Sequence, residues 1–119
     1  NMRAGADNNT VFIEQRGEDS YAEVDNFGSG NAAEIYQRED SPPTENFLAQ
    51  IWQDGDGNTA LIDQDGNDHI ALSHQFGDNN ASTIMQTGTF NSAHVDQFTN
   101  SNASMVTQAG TGNSTYVAQ

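Results

Sequence analysis

Histidines and carboxylates are the side chains of this 119-residue sequence best suited to bind a metal, since it contains no cysteine. The histidines are His69, His74 and His94, and imidazole is a common ligand of transition metals. In an extended chain His74 and His94 face one side and His69 faces the other, because side chains alternate along a strand. A shared metal is one interpretation, and two ordinary surface histidines are the other. We predict the second, with no metal ligand.

Aspartate is concentrated in short turn-like stretches, around Asp54-Gly55-Asp56-Gly57-Asn58 and at Asp63, Asp65 and Asp68. Oxygen ligands in turns suit Ca²⁺. The EF-hand spacing fails, however, because no glutamate follows at the twelfth position. The nonapeptide Ca²⁺ repeat fails as well, because the period of this chain is eleven. We therefore predict ordinary Asx-rich turns and no cofactor.

The charge balance excludes several functions. Lys and Arg number 3 against 17 Asp and Glu, so the net charge is −14. A nucleic-acid partner is excluded, because such a protein needs cationic surface to replace counterions. Insertion into a membrane is excluded too, since apolar runs reach only three residues and a spanning helix needs about 20. High charge with low hydrophobicity is typical of disorder, but the order of the residues indicates a fold.

A repeat of eleven residues runs through the chain. Glutamine recurs every eleven positions from Gln53 to Gln119, and Gln15 and Gln37 are twenty-two apart with Asn26 midway. The gap of sixteen between Gln37 and Gln53 indicates a five-residue insertion near 38–46. Ten units result, and their shared pattern is N-x-A-x-(I/V)-x-Q-x-G-x-x, with exceptions such as Asn26, Ser73 and Thr99. The branched column, two before the glutamine, is Ile13, Val24, Ile35, Ile51, Ile62, Ile84, Val95, Val106 and Val117. The turn glycines, two after it, are Gly17, Gly28, Gly55, Gly66, Gly77, Gly88 and Gly110.

The spacing within each unit predicts strands. An eleven-residue period also suits a right-handed coiled coil, but the specified positions are two apart, which is the period of a strand. A glycine in nearly every unit would cost about 1 kcal/mol each in a helix. We therefore predict a seven-residue strand and a four-residue turn per unit.

Two units together make a 22-residue coil with two facing strands. The predicted fold is all-β: a parallel β-solenoid of about five coils that stacks into a cross-β amyloid filament. Residues 1–8 form a short tail and residues 9–119 the repeat domain. Such a thin pair of sheets leaves no substrate cavity, so we predict no enzyme and no catalytic residue.

Inward asparagine and glutamine columns are predicted to form amide ladders, because buried amides need partners. In the first sheet these are Asn9, Asn31, Asn58, Asn80, Asn102, Gln15, Gln37, Gln64, Gln86 and Gln108. In the second they are Asn26, Gln53, Gln75, Gln97 and Gln119. His69 occupies the asparagine column and is expected to join its ladder. On the outer face, Leu48, Trp52, Ile70 and Leu72 form an apolar patch that is a possible lateral contact.

The unit resembles the repeat of the curlin family, the bacterial curli subunits. The match extends over roughly residues 9–119, and the stretch 53–64 agrees at every key position. The resemblance implies a secreted functional amyloid of the biofilm matrix that serves surface adhesion. It also implies a nucleator subunit and an outer-membrane secretion pore as partners. The uncapped first and last coils themselves predict a head-to-tail homopolymer. The last unit, 113–119, is regular and uncharged, which resembles the major subunit. The alternative is a monomeric β-solenoid that binds ice or acts as an adhesin.

Overall fold

Ten strands account for most of the fold. The computed structural model describes residues 7–38 and 46–119, so most of the predicted tail and insertion lies outside the described residues. The strands are β1 (Thr10–Gln15), β2 (Tyr21–Phe27), β3 (Ala32–Arg38), β4 (Leu48–Asp54), β5 (Thr59–Asn67), β6 (Ile70–Phe76), β7 (Ala81–Thr89), β8 (Ser92–Gln97), β9 (Ala103–Thr111) and β10 (Ser114–Ala118). No helix in these ranges is long and apolar enough to cross a membrane.

The strands form two parallel sheets that face each other. One has the order β1-β3-β5-β7-β9 and the other β2-β4-β6-β8-β10. Each strand therefore pairs with the strand two units along, and each coil contributes one strand to either sheet. This arrangement confirms the predicted all-β solenoid of five coils with two strands per coil.

Equivalent positions of the repeat stack directly on one another. Between β3 and β5, for example, Ala33 pairs with Ala60, Ile35 with Ile62 and Gln37 with Gln64. The small and branched residues of both sheets meet in one core, in which Ile35, Ile62 and Ile84 are fully buried. Register is strongly specified here, because a slip of one residue would turn every core side chain to water.

The strand ends differ from the prediction in one sheet. Strands β5, β7 and β9 have nine residues and continue through the glycine that was expected in the turn. Gly66 pairs with Gly88, and Gly88 pairs with Gly110. Because the stacked glycines lack side chains, their backbones approach closely and the pairing extends past the glutamine.

Most of the described turns contain two positions of positive φ. Two residues after the glutamine, or after Asn26, φ lies between 100° and 130° wherever it is positive, and every residue with that φ is glycine; Thr99, at this position after Gln97, does not have positive φ. Four residues after it, φ is close to 60°, and the occupants include Asp68, Asn79 and Phe90 as well as glycines. The second position has the left-handed helical conformation that other residues can adopt. The first therefore explains the glycine column of the sequence.

Candidate assembly interface

Inward glutamines form two continuous columns of side-chain hydrogen bonds. In the first sheet Gln15 donates to Gln37, Gln37 to Gln64, Gln64 to Gln86 and Gln86 to Gln108. In the second sheet Gln53 donates to Gln75, Gln75 to Gln97 and Gln97 to Gln119. All seven Nε2–Oε1 distances lie between 2.8 and 3.1 Å. Every donor points toward the C-terminal coil, so the columns are polar.

The glutamine columns also tie the two sheets together. The second Nε2 hydrogen of Gln75 is donated to the carbonyl of Thr59, sixteen residues earlier on the opposite strand. Gln86 and Gln97 make the same contact with Ile70 and Ala81. A buried glutamine in this fold thus satisfies both hydrogens, one along the stack and one across it.

The asparagine columns bind differently from the prediction. Their ladders run from backbone to side chain, as where the Asn58 N–H donates to the Asn31 Oδ1 at 2.8 Å. The Asn31 Nδ2 donates to the turn carbonyls of Phe27 and Gly55. Asparagine is one methylene shorter than glutamine, so its amide stays beside the main chain. In the first sheet these residues secure the turns, and the amide-to-amide ladder predicted there is wrong. In the second sheet the Asn113 Nδ2 does donate to the Asn91 Oδ1, at 3.1 Å.

Asn26 interrupts the glutamine column of the second sheet. Its side chain is 1% exposed, yet neither amide atom has a hydrogen-bond partner among the described residues, and the Gln53 Oε1 facing it lacks one too. The predicted ladder contact at Asn26 is therefore wrong. The shorter side chain does not reach across the strand spacing that glutamine spans.

His69 occupies a buried asparagine position at the start of β6. Its Nε2–H donates to the Asp65 carbonyl at 3.1 Å, and its Nδ1 accepts the Asn91 N–H at 3.2 Å. The Phe47 ring packs against it, with centroids 5.8 Å apart. Burial lowers the pKa of His69 below its usual 6.5, despite the opposing effects of the Asp65 carbonyl and the Asp68 and Asp65 charges. The neutral ring fits, because a proton on Nδ1 would face the Asn91 N–H.

Acidification is expected to destabilise the chain through His69. Its pKa is lower in the folded state, so the unfolded chain binds more protons and the free energy of unfolding falls as pH drops below about 6.5. His69→Asn removes this component, since Asn91 already makes the equivalent contact with Asn113. Urea unfolding at pH 7.5 and 5.0 tests it: the wild type should lose more stability than the variant. Equal losses would contradict the assignment, because every other titratable group is the same in both proteins.

The two end coils leave their core columns partly open. Ile13 in the first coil is 41% exposed, whereas Ile35, Ile62 and Ile84 in the same column are fully buried. In the last coil Val117 is only partly buried, and Gln119 is exposed. Each end therefore exposes the apolar and amide side chains that a further coil would cover.

The end strands also present backbone groups along the stack axis. The N–H groups of Thr10 and Arg16 donate to β3, so by alternation those of Val11 and Ile13 point away from it. At the other end the Asn102 carbonyl accepts from Ala81 in β7, so the N–H and C=O of Met105 point outward. The two edges are complementary in register, because outward groups of β9 fall opposite outward groups of β1.

Charge is distributed unevenly between the two ends. Residues 9–26 include Glu14, Glu23 and Asp25, while residues 102–119 contain no charged side chain. Extending the observed register beyond the last coil places Thr107 on Glu14, Tyr116 on Glu23 and Ala118 on Asp25. A last coil stacked on a first coil thus juxtaposes no like charges, which would otherwise be destabilising.

The predicted lateral patch lies on the outer face of β4 and β6. Leu48 pairs with Ile70, and Gln50 separates Leu48 from Trp52 along β4. Trp52 and Ile70 are 41% and 42% exposed, while Leu48 and Leu72 are half-buried. The Trp52 ring packs on Phe27, with centroids 5.3 Å apart. The four residues therefore form a discontinuous apolar surface, with Trp52 partly covered.

The two outward histidines are not independent surface residues. His74 in β6 and His94 in β8 both contact Asp96, at 3.0 and 2.9 Å. Asp96 is only 8% exposed, because these rings and Tyr116 cover it. Neither Asp96 nor Tyr116 was predicted as a site residue. The repeat could have predicted the His74–Asp96 contact, because the two residues are 22 positions apart and therefore pair directly.

Comparison with known proteins identifies the repeat. A family model described as the curlin associated repeat matches residues 6–38, 46–72 and 77–110. A search of curated proteins finds no match, and neither does a search of solved structures. The three matched segments cover most of the chain and follow the strand–turn units described above. The chain therefore belongs to the curlin family and is a curli-type structural subunit.

Proposed function

We propose that this chain is secreted and polymerises head to tail into extracellular curli-like amyloid fibres, in which each subunit adds five coils to a continuous solenoid. The observation that carries the proposal is the open cross-section at both ends. The core columns and backbone groups of the first and last coils match in register and point along one axis. A head-to-tail contact without a closing rotation produces a filament.

Stacking would continue the glutamine column of the first sheet between subunits. The Gln108 Nε2 now donates to the Thr115 hydroxyl at 3.1 Å within its own coil. In a filament it would donate instead to the Gln15 Oε1 of the next subunit, as Gln86 donates to Gln108. Met105, 73% exposed, would pack on Phe12, 46% exposed. The glutamine contact repeats one that the interior coils already make.

Proline at the outward edge of the last coil tests this mechanism. Met105→Pro with Ala118→Pro removes two N–H groups that point along the stack, while the bonds of β9 and β10 to their neighbours remain. Purified wild-type chain should form filaments with a 4.7–4.8 Å meridional reflection. The double variant should stay β-rich by circular dichroism and fail to elongate. Added in small amounts, it should cap wild-type filaments at one end.

A matched control keeps the positions and restores the donors. Met105→Leu with Ala118→Ser retains both N–H groups and should elongate like the wild type. A wild-type chain that remained a β-rich monomer would overturn the proposal and favour the monomeric binding module. Filaments of the proline variant with unchanged growth would overturn the stacking mechanism while leaving polymerisation itself intact.

The family supports the cellular part of the proposal: transit through an outer-membrane secretion pore, growth from a nucleator subunit at the cell surface, and a role in biofilm matrix and adhesion. A chain without cysteine suits this route, because no disulfide can form in transit. A curli-forming bacterium without its own major subunit should regain cell-surface fibres when it expresses this chain with an export signal. Loss of those fibres in the proline variant would indicate that fibres on the cell surface grow by the same stacking of end coils.

A further inference from the structure

Three potential metal ligands converge on the outer face of the second sheet. They are the Nδ1 of His74, the Nε2 of His94 and the Oδ1 of Asp96, which lie within 4.8 Å of one another. The two nitrogens are 3.0 and 2.9 Å from the carboxylate oxygen and 3.4 Å from each other. The strand register produces this cluster, because His74 pairs with Asp96 and His94 stands two residues from Asp96 on the same face.

These separations match a tetrahedral metal centre. Coordination of Zn²⁺ at about 2.0–2.1 Å sets neighbouring ligand atoms about 3.3 Å apart. The three separations, 2.9 to 3.4 Å, fall around that value. An ion could thus be bound with small side-chain movements and no change of backbone.

Without an ion, two ring nitrogens crowd one carboxylate oxygen. The Asp96 Oδ1 faces both ring nitrogens, so each must carry a hydrogen to bond to it. Those two N–H groups then lie with their nitrogens 3.4 Å apart. An ion would remove this conflict, because it accepts a lone pair from each nitrogen and from the carboxylate.

Supporting contacts orient the carboxylate. The Tyr116 hydroxyl, from the neighbouring strand β10, donates to the Asp96 Oδ2 at 2.8 Å. Its ring packs edge-on against His94, with centroids 5.2 Å apart. Contacts of this kind fix the geometry of metal ligands. His74 and His94 are each about a third exposed, so an ion can enter from solvent and keep a water as its fourth ligand.

We propose that His74, His94 and Asp96 form a binding site for one Zn²⁺ ion, or a similar transition-metal ion, per chain. Two imidazoles and one carboxylate favour such ions over Ca²⁺ and Mg²⁺, which prefer oxygen ligands. The aspartate-rich turns compete poorly, because their oxygens already accept backbone hydrogens, as where Asp56 accepts from Ser29 and Asp78 from Asp56.

Equilibrium dialysis of the wild-type chain against Zn²⁺ tests the site. We expect one ion bound per chain, and at least tenfold weaker binding in His94→Gln and in His74→Gln. Tyr116→Phe should weaken it about tenfold by freeing the carboxylate, a typical cost of losing a supporting contact. Asp54→Asn with Asp56→Asn removes two acidic side chains elsewhere and should leave binding unchanged. Circular dichroism verifies that each variant keeps its strands.

A second readout separates a built site from adventitious binding. Co²⁺ bound in the same place should give the visible absorption of a tetrahedral ion with nitrogen and oxygen ligands, and His94→Gln should abolish that spectrum. Zinc binding that persists in both histidine variants but falls in the Asp54 and Asp56 variant would overturn the proposal. A wild-type chain that binds no Zn²⁺ at millimolar concentration would overturn it as well.

Discussion

Gly66→Ala is expected to lower the free energy of unfolding by about 2–6 kcal/mol, a large part of the stability of a domain this size. The backbone of Gly66 has a φ of +122°, and an added Cβ would overlap the Gly88 carbonyl oxygen of the next coil. Strained backbone costs about 1–3 kcal/mol and overpacking about as much again. The obstacle is main chain, so no side chain can move aside to relieve it. Urea unfolding of the soluble monomer measures the loss.

Gly30→Ala is the matched control. Gly30 also has positive φ, +69°, but the nearest atom to its added Cβ is 4.0 Å away. It belongs to the turn position that Asp68 and Phe90 occupy in other coils. We expect a loss of about 1 kcal/mol, the cost of the left-handed conformation alone. Equal losses in the two variants would show that φ, and not the close approach of coils, determines the glycine column.

Gln75→Met is expected to cost about 3–5 kcal/mol. The two side chains are similar in size and unbranched, so the change removes hydrogen bonds and little packing. It removes one hydrogen bond from each of three buried groups, namely the Gln53 Nε2, the Gln97 Oε1 and the Thr59 carbonyl. The Gln53 Nε2 keeps its second bond, to the Ala32 carbonyl. Each such group costs about 1–3 kcal/mol. Denaturant midpoints at constant m-value give the measurement.

Gln50 and Asn26 provide controls of opposite kinds. Gln50→Met makes the same substitution in the adjacent strand, where the side chain points outward to Glu23, and should cost about 0.5 kcal/mol. Asn26→Gln should stabilise the chain by about 1 kcal/mol, because the longer side chain reaches the unpartnered Gln53 Oε1. If Gln75→Met cost no more than Gln50→Met, the glutamine column would contribute packing alone.

The architecture was predictable from the sequence because one short pattern specifies both the strand and its neighbours. A column in which Gln37, Gln64 and Gln86 share a position can stack in only one register, and that register determines both sheets. The asparagine positions were recognised as inward for the same reason. Their hydrogen bonds were not, since one methylene decides whether an amide reaches the next side chain or stays at the turn.

Sequence reasoning raised a metal shared by His74 and His94 but not the part played by Asp96. The outward alternation of His74 and His94 was evident, but outward residues were taken to be solvated. Asp96 is covered because two imidazoles and the Tyr116 ring come from three successive coils and lean together. On an outer face, the direction of a side chain depends on contacts with residues of neighbouring strands that are not its direct register partners. The pattern of a single repeat unit gives no information about such contacts.

The uniform stacking of coils makes the proposed filament a polyelectrolyte. Five coils at about 4.8 Å each occupy about 24 Å, and the chain carries a net charge of −14. That is about one negative charge per 1.7 Å of axis, the linear charge density of double-stranded DNA. Counterions should therefore condense on the fibre, so ionic strength and multivalent cations would govern how closely two fibres approach.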